Sequence, residues 1–105
     1  MSPGKVASQA GHAYLGSYLN SLISSPTNAH LYSQEAPGTK VCLKSNLDKI
    51  LQTKEILEQN KIPHFLVVDS GCANFFNGEP TITALGVGPI NKKQGTLLKK
   101  FKLYN

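Results

Sequence analysis

The run "HFLVVD", His64 to Asp69, constrains the fold of this chain more than any other stretch. It is short, almost wholly apolar, and ends in an acid. Continuous apolar runs of this length are typical of strands that are covered on both faces. The run therefore predicts a strand inside a layered α/β domain, with a functional site beyond the carboxyl end of that strand.

Helical patterns precede this strand in the chain. Ser2 followed by Pro3 is typical of an N-cap and a first helical position, and small or apolar residues recur at helical spacing to about Leu22. A short further helix between residues 24 and 38 is an open alternative, because this stretch also contains helix breakers. Asn46 predicts the cap of a second clear helix over residues 47–60. The predicted buried stripe of that helix consists of Leu47, Ile50, Leu51 and Leu57.

Two further segments have the composition of strands. "TKVCLK", Thr39 to Lys44, alternates, and "TITALGV", Thr81 to Val87, is rich in β-forming residues. The short connection after Asp69 favours an antiparallel arrangement of the last two strands, and hence a small mixed sheet. Asn91 predicts the start of a short helix to about Lys100, followed by an extended tail. The pattern predicts a single α/β domain over residues 1–105.

The composition narrows the class of protein without naming a function. The net charge is +5, and every basic residue apart from histidine is a lysine. This charge is compatible with a phosphate-rich partner, and it is equally compatible with no particular partner. No apolar run approaches the roughly 18 residues that a membrane span needs. Cys42 and Cys72 lack the spacing of a redox or zinc site, and Cys42 is predicted to be a small core residue. With no signal peptide visible, a cytoplasmic protein with reduced thiols is expected.

A polar stripe on the first helix is the first candidate for chemistry. Lys5, Gln9 and His12 are spaced i, i+4, i+7 and share one face, whereas Val6, Ala10 and Ala13 share the face predicted to meet the sheet. Lys5 lies near a helix N-terminus, where backbone N–H groups attract anions. The alternative is an ordinary solvent-facing stripe, which is the commoner meaning of such a pattern.

Asp69 is the second candidate, because it ends the apolar strand. A partly desolvated carboxylate at this position could act as a general base on water, or it could simply cap the turn that follows. The doublets Lys92-Lys93 and Lys99-Lys100, with Lys102, form either a solvated helix face or a tract for an RNA backbone. No pair of histidines has the spacing of metal ligands, so no metal site is predicted.

Three motifs together resemble one known family. "GKVASQAGHA" (4–13), "DSG" (69–71) and "TITALGVGP" (81–89) are similar, in the same order, to motifs of the type 2 peptidyl-tRNA hydrolases. The resemblance implies a three-layer α/β/α domain around a mixed four-stranded sheet. It implies hydrolysis of the ester between a peptide and the 3′ ribose of tRNA, without a metal or cofactor. It also implies a cytoplasmic protein, or a mitochondrial one in eukaryotes, that binds peptidyl-tRNA, often as a homodimer.

The family's functional residues map onto positions of this chain. The resemblance implies catalytic roles for Lys5, Asp69 and His12, and substrate-binding roles for Gln9, Thr81 and Gly71.

Two departures from the family pattern keep an alternative open. Cys72-Ala73 replaces an Arg-Thr pair next to the predicted base, and the loop that follows is longer. The strand that precedes the Gly4-Lys5 segment in the family is not in this chain, so an isolated chain is expected to be less stable than a full member. A catalytically degenerate member, acting as an RNA-binding or protein-interaction module, is therefore the second hypothesis.

Overall fold

A computed structural model describes residues 2–35, 38–69 and 80–104. The elements in chain order are α1 (Pro3–Ser24), α2 (Pro26–Ser33), α3 (Leu47–Gln59), β1 (His64–Asp69), β2 (Thr81–Val87) and a 3₁₀ helix, η1 (Gln94–Leu98). The predicted α/β class is confirmed, and β1 and β2 have the predicted bounds. None of the helices in these ranges is long and apolar enough to cross a membrane.

Capping chemistry explains where the two long helices begin. Ser2 Oγ accepts a hydrogen bond from the Lys5 backbone N–H at 3.2 Å, and Asn46 Oδ1 accepts one from Lys49 N–H at 3.0 Å. Each cap satisfies one of the N–H groups that a helix leaves unbonded in its first turn. Both predicted helix starts are confirmed, and the short helix that the sequence left open forms as α2.

The two strands pair antiparallel, as predicted. Their register runs from His64 opposite Val87 to Asp69 opposite Thr81, with an irregularity between Val67 and Val68. The register places the last residue of β1 and the first residue of β2 side by side at one end of the sheet. This end is also where α1 begins.

The α1 and α3 helices lie on opposite faces of the sheet. Successive strand residues point to opposite faces. The Phe65 ring packs over Gly16 of α1, whereas His64 Nε2 lies 3.8 Å from the Glu58 carboxylate of α3. The sheet is therefore the middle layer of three.

Small side chains allow α1 to pack close to β2. The buried residues of α1 repeat every fourth position: Gln9, Ala13, Ser17 and Ser21. A Cβ atom placed on Gly86 of β2 would lie only 2.1 Å from the Ala13 carbonyl oxygen, so the two backbones nearly touch. The predicted inner face is confirmed at Ala13, which is buried, and Val6 and Ala10 on the same face are partly buried.

The predicted strand over residues 39–44 is wrong. The segment makes one isolated bridge, Leu43 with Leu103, supported by backbone bonds from Lys44 N–H to Lys102 O at 2.8 Å and from Tyr104 N–H to Cys42 O at 2.9 Å. Among the described residues the sheet consists of β1 and β2, so β-forming side chains at 39–44 have no ladder to extend. The Cys42 side chain is consequently exposed instead of lying in a core.

The buried face of α3 differs in part from the predicted stripe. Thr53 and Leu57 are buried, but Leu47 and Leu51 of the predicted stripe are 52% and 44% exposed. At 100° per residue, Leu47 and Leu51 lie roughly 120° and 160° round the helix from Thr53. The face that α3 turns to the sheet is therefore centred on Thr53 and Leu57, and it leaves these two leucines outside it.

The last predicted helix is shorter than expected. Asn91 and Gln94 form a reciprocal pair in which each side-chain oxygen accepts the other's backbone N–H, at 2.8 and 3.0 Å. This arrangement caps a helix start, but only the five-residue η1 follows. The predicted end near Lys100 is therefore too late.

Candidate active site

The centre of the site is a contact between the first turn of α1 and the end of β1. Lys5 Nζ donates a hydrogen bond to Asp69 Oδ2, joining two residues that are 64 positions apart in the chain. Their side chains are 19% and 13% exposed. The ion pair is thus largely shielded from water but open on one side, which strengthens its electrostatic interactions relative to those of a surface pair.

Asp69 explains why a lysine stands at the positive end of a helix. The first turn of α1 contains no acidic residue of its own. The Asp69 carboxylate, delivered by β1, lies where the helix dipole favours a negative charge and also neutralises the lysine. The packing of the start of α1 against the end of β1 brings the Lys5 ammonium and the Asp69 carboxylate together.

A second contact ties the next turn of α1 to β2. Thr83 Oγ1 donates to Gln9 Oε1 at 2.6 Å, and Gln9 is only 5% exposed. The interpretation of the polar stripe as an ordinary solvent-facing surface is therefore wrong at Gln9, whereas His12 is exposed.

Thr83 is a residue of the site that the sequence reasoning missed. It belongs to the quoted segment "TITALGV", and it lies two positions after Thr81. Since strand residues two apart share a face, the alternation of threonines was a signal that could have found it.

A cavity of about 520 Å³ opens beside these residues. Its polar end is formed by Gln9, His12 and Asp69. The rest of its wall is mainly apolar and comes from α1 and β1: Leu15, Gly16, Leu19, Asn20, Phe65, Val67 and Val68. The cavity is large enough for a small acyl group next to the polar end.

The structure thus gathers most of the residues singled out from sequence. Lys5, Gln9 and Asp69 meet at one end of the sheet, Thr81 is paired opposite Asp69, and His12 lines the same cavity. The structure confirms their proximity and leaves their chemical roles as predictions.

Some of the sequence predictions fall outside the described residues. Gly71 and the pair Cys72-Ala73 lie there, so the structure does not place them. Within the described ranges, no three His, Cys, Asp or Glu side chains come together as candidate metal ligands.

The arrangement has the parts needed to hydrolyse an ester. A carboxylate can take a proton from water, and an adjacent ammonium can stabilise the negative charge that develops on a carbonyl oxygen. An imidazole and a buried amide nearby can position the reacting groups. An apolar wall beside them can accommodate an acyl chain.

Comparison with known proteins identifies relatives with one common description. The family model described as "Peptidyl-tRNA hydrolase PTH2" matches residues 1–104. A peptidyl-tRNA hydrolase of Methanopyrus kandleri is 33% identical over 96 residues, covering 90% of this chain and 78% of that protein. The peptidyl-tRNA hydrolase of Methanococcus vannielii is 33% identical over 105 residues, covering 98% of this chain and 88% of that protein. The peptidyl-tRNA hydrolase of Methanothermobacter thermautotrophicus is 33% identical over 91 residues, covering 85% of this chain and 75% of that protein.

Proposed function

The chain belongs to the peptidyl-tRNA hydrolase PTH2 family, and from that premise we propose that it cleaves the ester bond of peptidyl-tRNA. The products are a peptide with a free carboxylate and a tRNA with a free 3′-terminal ribose hydroxyl. The observation that carries the proposal is the shielded Lys5–Asp69 pair at the polar end of the cavity.

Asp69 is the general base in this mechanism. Its carboxylate accepts a proton from a water molecule, and the oxygen of that water attacks the ester carbonyl carbon. The attack moves an electron pair onto the carbonyl oxygen. When the tetrahedral intermediate collapses, the bond to the ribose oxygen breaks and that oxygen takes up the proton held by Asp69, which regenerates the carboxylate.

Lys5 stabilises the oxyanion of the intermediate. Its ammonium is already held at the site by Asp69, so little reorganisation is needed when the charge develops. The N–H groups at the start of α1 add to the positive potential there.

Gln9 and His12 position the substrate. The hydrogen bond from Thr83 occupies the Gln9 amide oxygen, which leaves its NH₂ group as the end that can donate to a ligand. His12 lines the cavity one turn further along the same helix and faces the ester from that side. Thr81, opposite Asp69, belongs to the substrate-binding set in the same proposal.

Peptide release from a purified peptidyl-tRNA tests the proposal. We expect Asp69→Asn to lower kcat by roughly 10²- to 10⁴-fold, the usual contribution of a general base. Lys5→Ala should lower it by about 10²- to 10³-fold, as the loss of an oxyanion donor does. Because the two side chains act as a unit, the double variant should be only slightly slower than the slower single variant.

Matched controls lie on the surface of α3. Asp48→Asn and Lys49→Ala remove one carboxylate and one ammonium at exposed positions outside the cavity, so both should keep the parent rate. Unchanged hydrolysis by Asp69→Asn would remove Asp69 from the mechanism. A parent chain that binds tRNA and releases no peptide would favour the alternative of a binding module. Homodimer formation and mitochondrial association stay predictions.

A further inference from the structure

The lysines of this chain are unevenly distributed. Residues 36–47 and 80–105 contain no aspartate or glutamate. They include seven exposed lysines, and all but Lys40 form a set that we call the basic strip: Lys44, Lys92, Lys93, Lys99, Lys100 and Lys102. The remaining five lysines of the chain are outnumbered by its six acids, so the net charge of +5 comes from the basic strip.

The fold brings the lysines of the basic strip onto neighbouring segments. Lys44 N–H bonds to Lys102 O at 2.8 Å, which joins residues far apart in the chain. The two doublets lie at either end of η1, and at about 2 Å per residue the six steps from Lys93 to Lys99 span about 12 Å. Positive charge is therefore spread over a length comparable with several phosphates of a nucleic-acid strand.

Helix α1 lies between the basic strip and the candidate active site. Cys42, whose carbonyl accepts from Tyr104 N–H, lies close enough to Tyr14 to help raise the pKa of that phenol. Tyr14 is nine residues after Lys5 on α1, which is about 14 Å along the helix axis, and at 3.6 residues per turn it lies on the side of α1 nearly opposite His12, which lines the cavity. A strand whose 3′ end occupied the cavity would therefore pass round α1 to reach the basic strip.

We infer that the basic strip is the surface on which the sugar–phosphate backbone of the tRNA lies. The inference rests on the proposed function, since it assigns the nucleic-acid half of that substrate to a separate surface. Lysine suits the task because its ammonium is a compact point charge on a flexible stem, which contacts phosphates without reading bases. The site at Asp69 then acts on the ester, and the basic strip supplies affinity for the tRNA.

Binding of fluorescent deacylated tRNA to the full chain, measured between about 50 and 200 mM salt, tests the inference. Two double variants, Lys92→Gln with Lys93→Gln and Lys99→Gln with Lys100→Gln, each remove two charges of the basic strip. Lys54→Gln with Lys61→Gln removes the same charge from the second half of α3 and the turn after it, ten or more residues after Lys44. Thermal melts of all three variants establish that each is folded.

We expect each variant of the basic strip to weaken tRNA binding at least about five-fold at 50 mM salt, and to reduce the slope of log Kd against log salt by about one to two. The control should keep the slope of the parent within about 0.5. In peptide release, the same two variants should raise KM and leave kcat near that of the parent. Slopes of the strip variants that equal the slope of the control, or a parent that shows no salt-dependent tRNA binding, would overturn the inference.

Asp69→Asn separates this inference from the proposed function. It should keep the salt slope of the parent while losing peptide release. If the parent releases no peptide, the hydrolase proposal fails, and the binding slopes still decide whether the basic strip holds tRNA. If Asp69→Asn loses release but the strip variants behave as the control does, the hydrolase proposal stands and the inference about the strip is wrong.

Discussion

Replacing Gly86 by alanine tests the close approach of α1 to β2, on which the geometry of the site depends. The added Cβ would lie 2.1 Å from the Ala13 carbonyl oxygen and 2.7 Å from its carbonyl carbon. Ordinary contacts begin near 3.4 Å, and both obstructing atoms belong to a helix backbone that cannot rotate away. Helix and strand must therefore separate by about 1.3 Å, the difference between these two distances.

The expected loss of stability follows from that displacement. Overpacking of a tight contact costs about 1–3 kcal/mol, and the better strand propensity of alanine returns about 0.5–1 kcal/mol. Because the obstructing atoms are backbone, the cost falls in the upper part of that range, about 2–3 kcal/mol. The net loss of about 1–2.5 kcal/mol lowers the melting temperature of a chain of this size by about 4–20 °C. The separation also stretches the contact between Gln9 and Thr83 and moves Lys5 away from its position. Since a misplacement of about 1 Å can cost 10²-fold in rate, peptide release should fall by about 10- to 100-fold.

Gly11→Ala provides the matched control. Gly11 lies on the same helix, and nothing is within 4 Å of the Cβ that alanine would add. Alanine in a helix interior is favoured over glycine by about 0.5–1 kcal/mol, so this variant should melt at or above the temperature of the parent. Circular dichroism melts of the three proteins, with peptide release at 25 °C, complete the experiment. A Gly86→Ala protein as stable as the parent would show that α1 and β2 do not pack as closely as described.

Three further substitutions test local features of the fold. Asn46→Ala removes the side chain that caps α3 at Lys49 N–H, and it should lower the free energy of unfolding by about 1 kcal/mol in urea titrations. Thr53→Val should leave stability unchanged or raise it by about 1 kcal/mol, because the buried Thr53 hydroxyl has no hydrogen-bond partner among the described residues; a clear loss would reveal a partner. Burial, reinforced by nearby Cys42, raises the pKa of Tyr14 above 10.0, so stability present below pH 10.0 should be lost as the pH rises through the raised pKa. Tyr14→Phe should weaken that loss, and equal pH profiles for parent and variant would contradict it.

The bounds of the main elements could be predicted from sequence because local chemistry sets them. Ser2, Pro3 and Asn46 act on backbone groups within one turn, so the beginnings of α1 and α3 depend on few neighbours. The apolar run ending at Asp69 likewise carries its own signal, and β1 has the predicted bounds.

What each element packs against depended on the tertiary structure. Residues 39–44 have the composition of a strand, yet a strand requires a neighbour with which to form a ladder, and only an isolated bridge to Leu103 forms. Leu51 fits the apolar stripe of α3, but the helix turns the side with Thr53 and Leu57 to the sheet, so Leu51 stays 44% exposed.

In the candidate site, too, one part could be predicted from the local sequence and another part depended on tertiary packing. The spacing of Lys5, Gln9 and His12 on one helix face follows from sequence, because helical periodicity is a local property. The local sequence does not decide whether that face is exposed to solvent or belongs to a site. The partners of Lys5 and Gln9 are Asp69 and Thr83, which lie on strands more than sixty residues further along the chain. Only the packing of α1 on the sheet brings the carboxylate to the lysine, and that contact turns a polar stripe into one wall of a site.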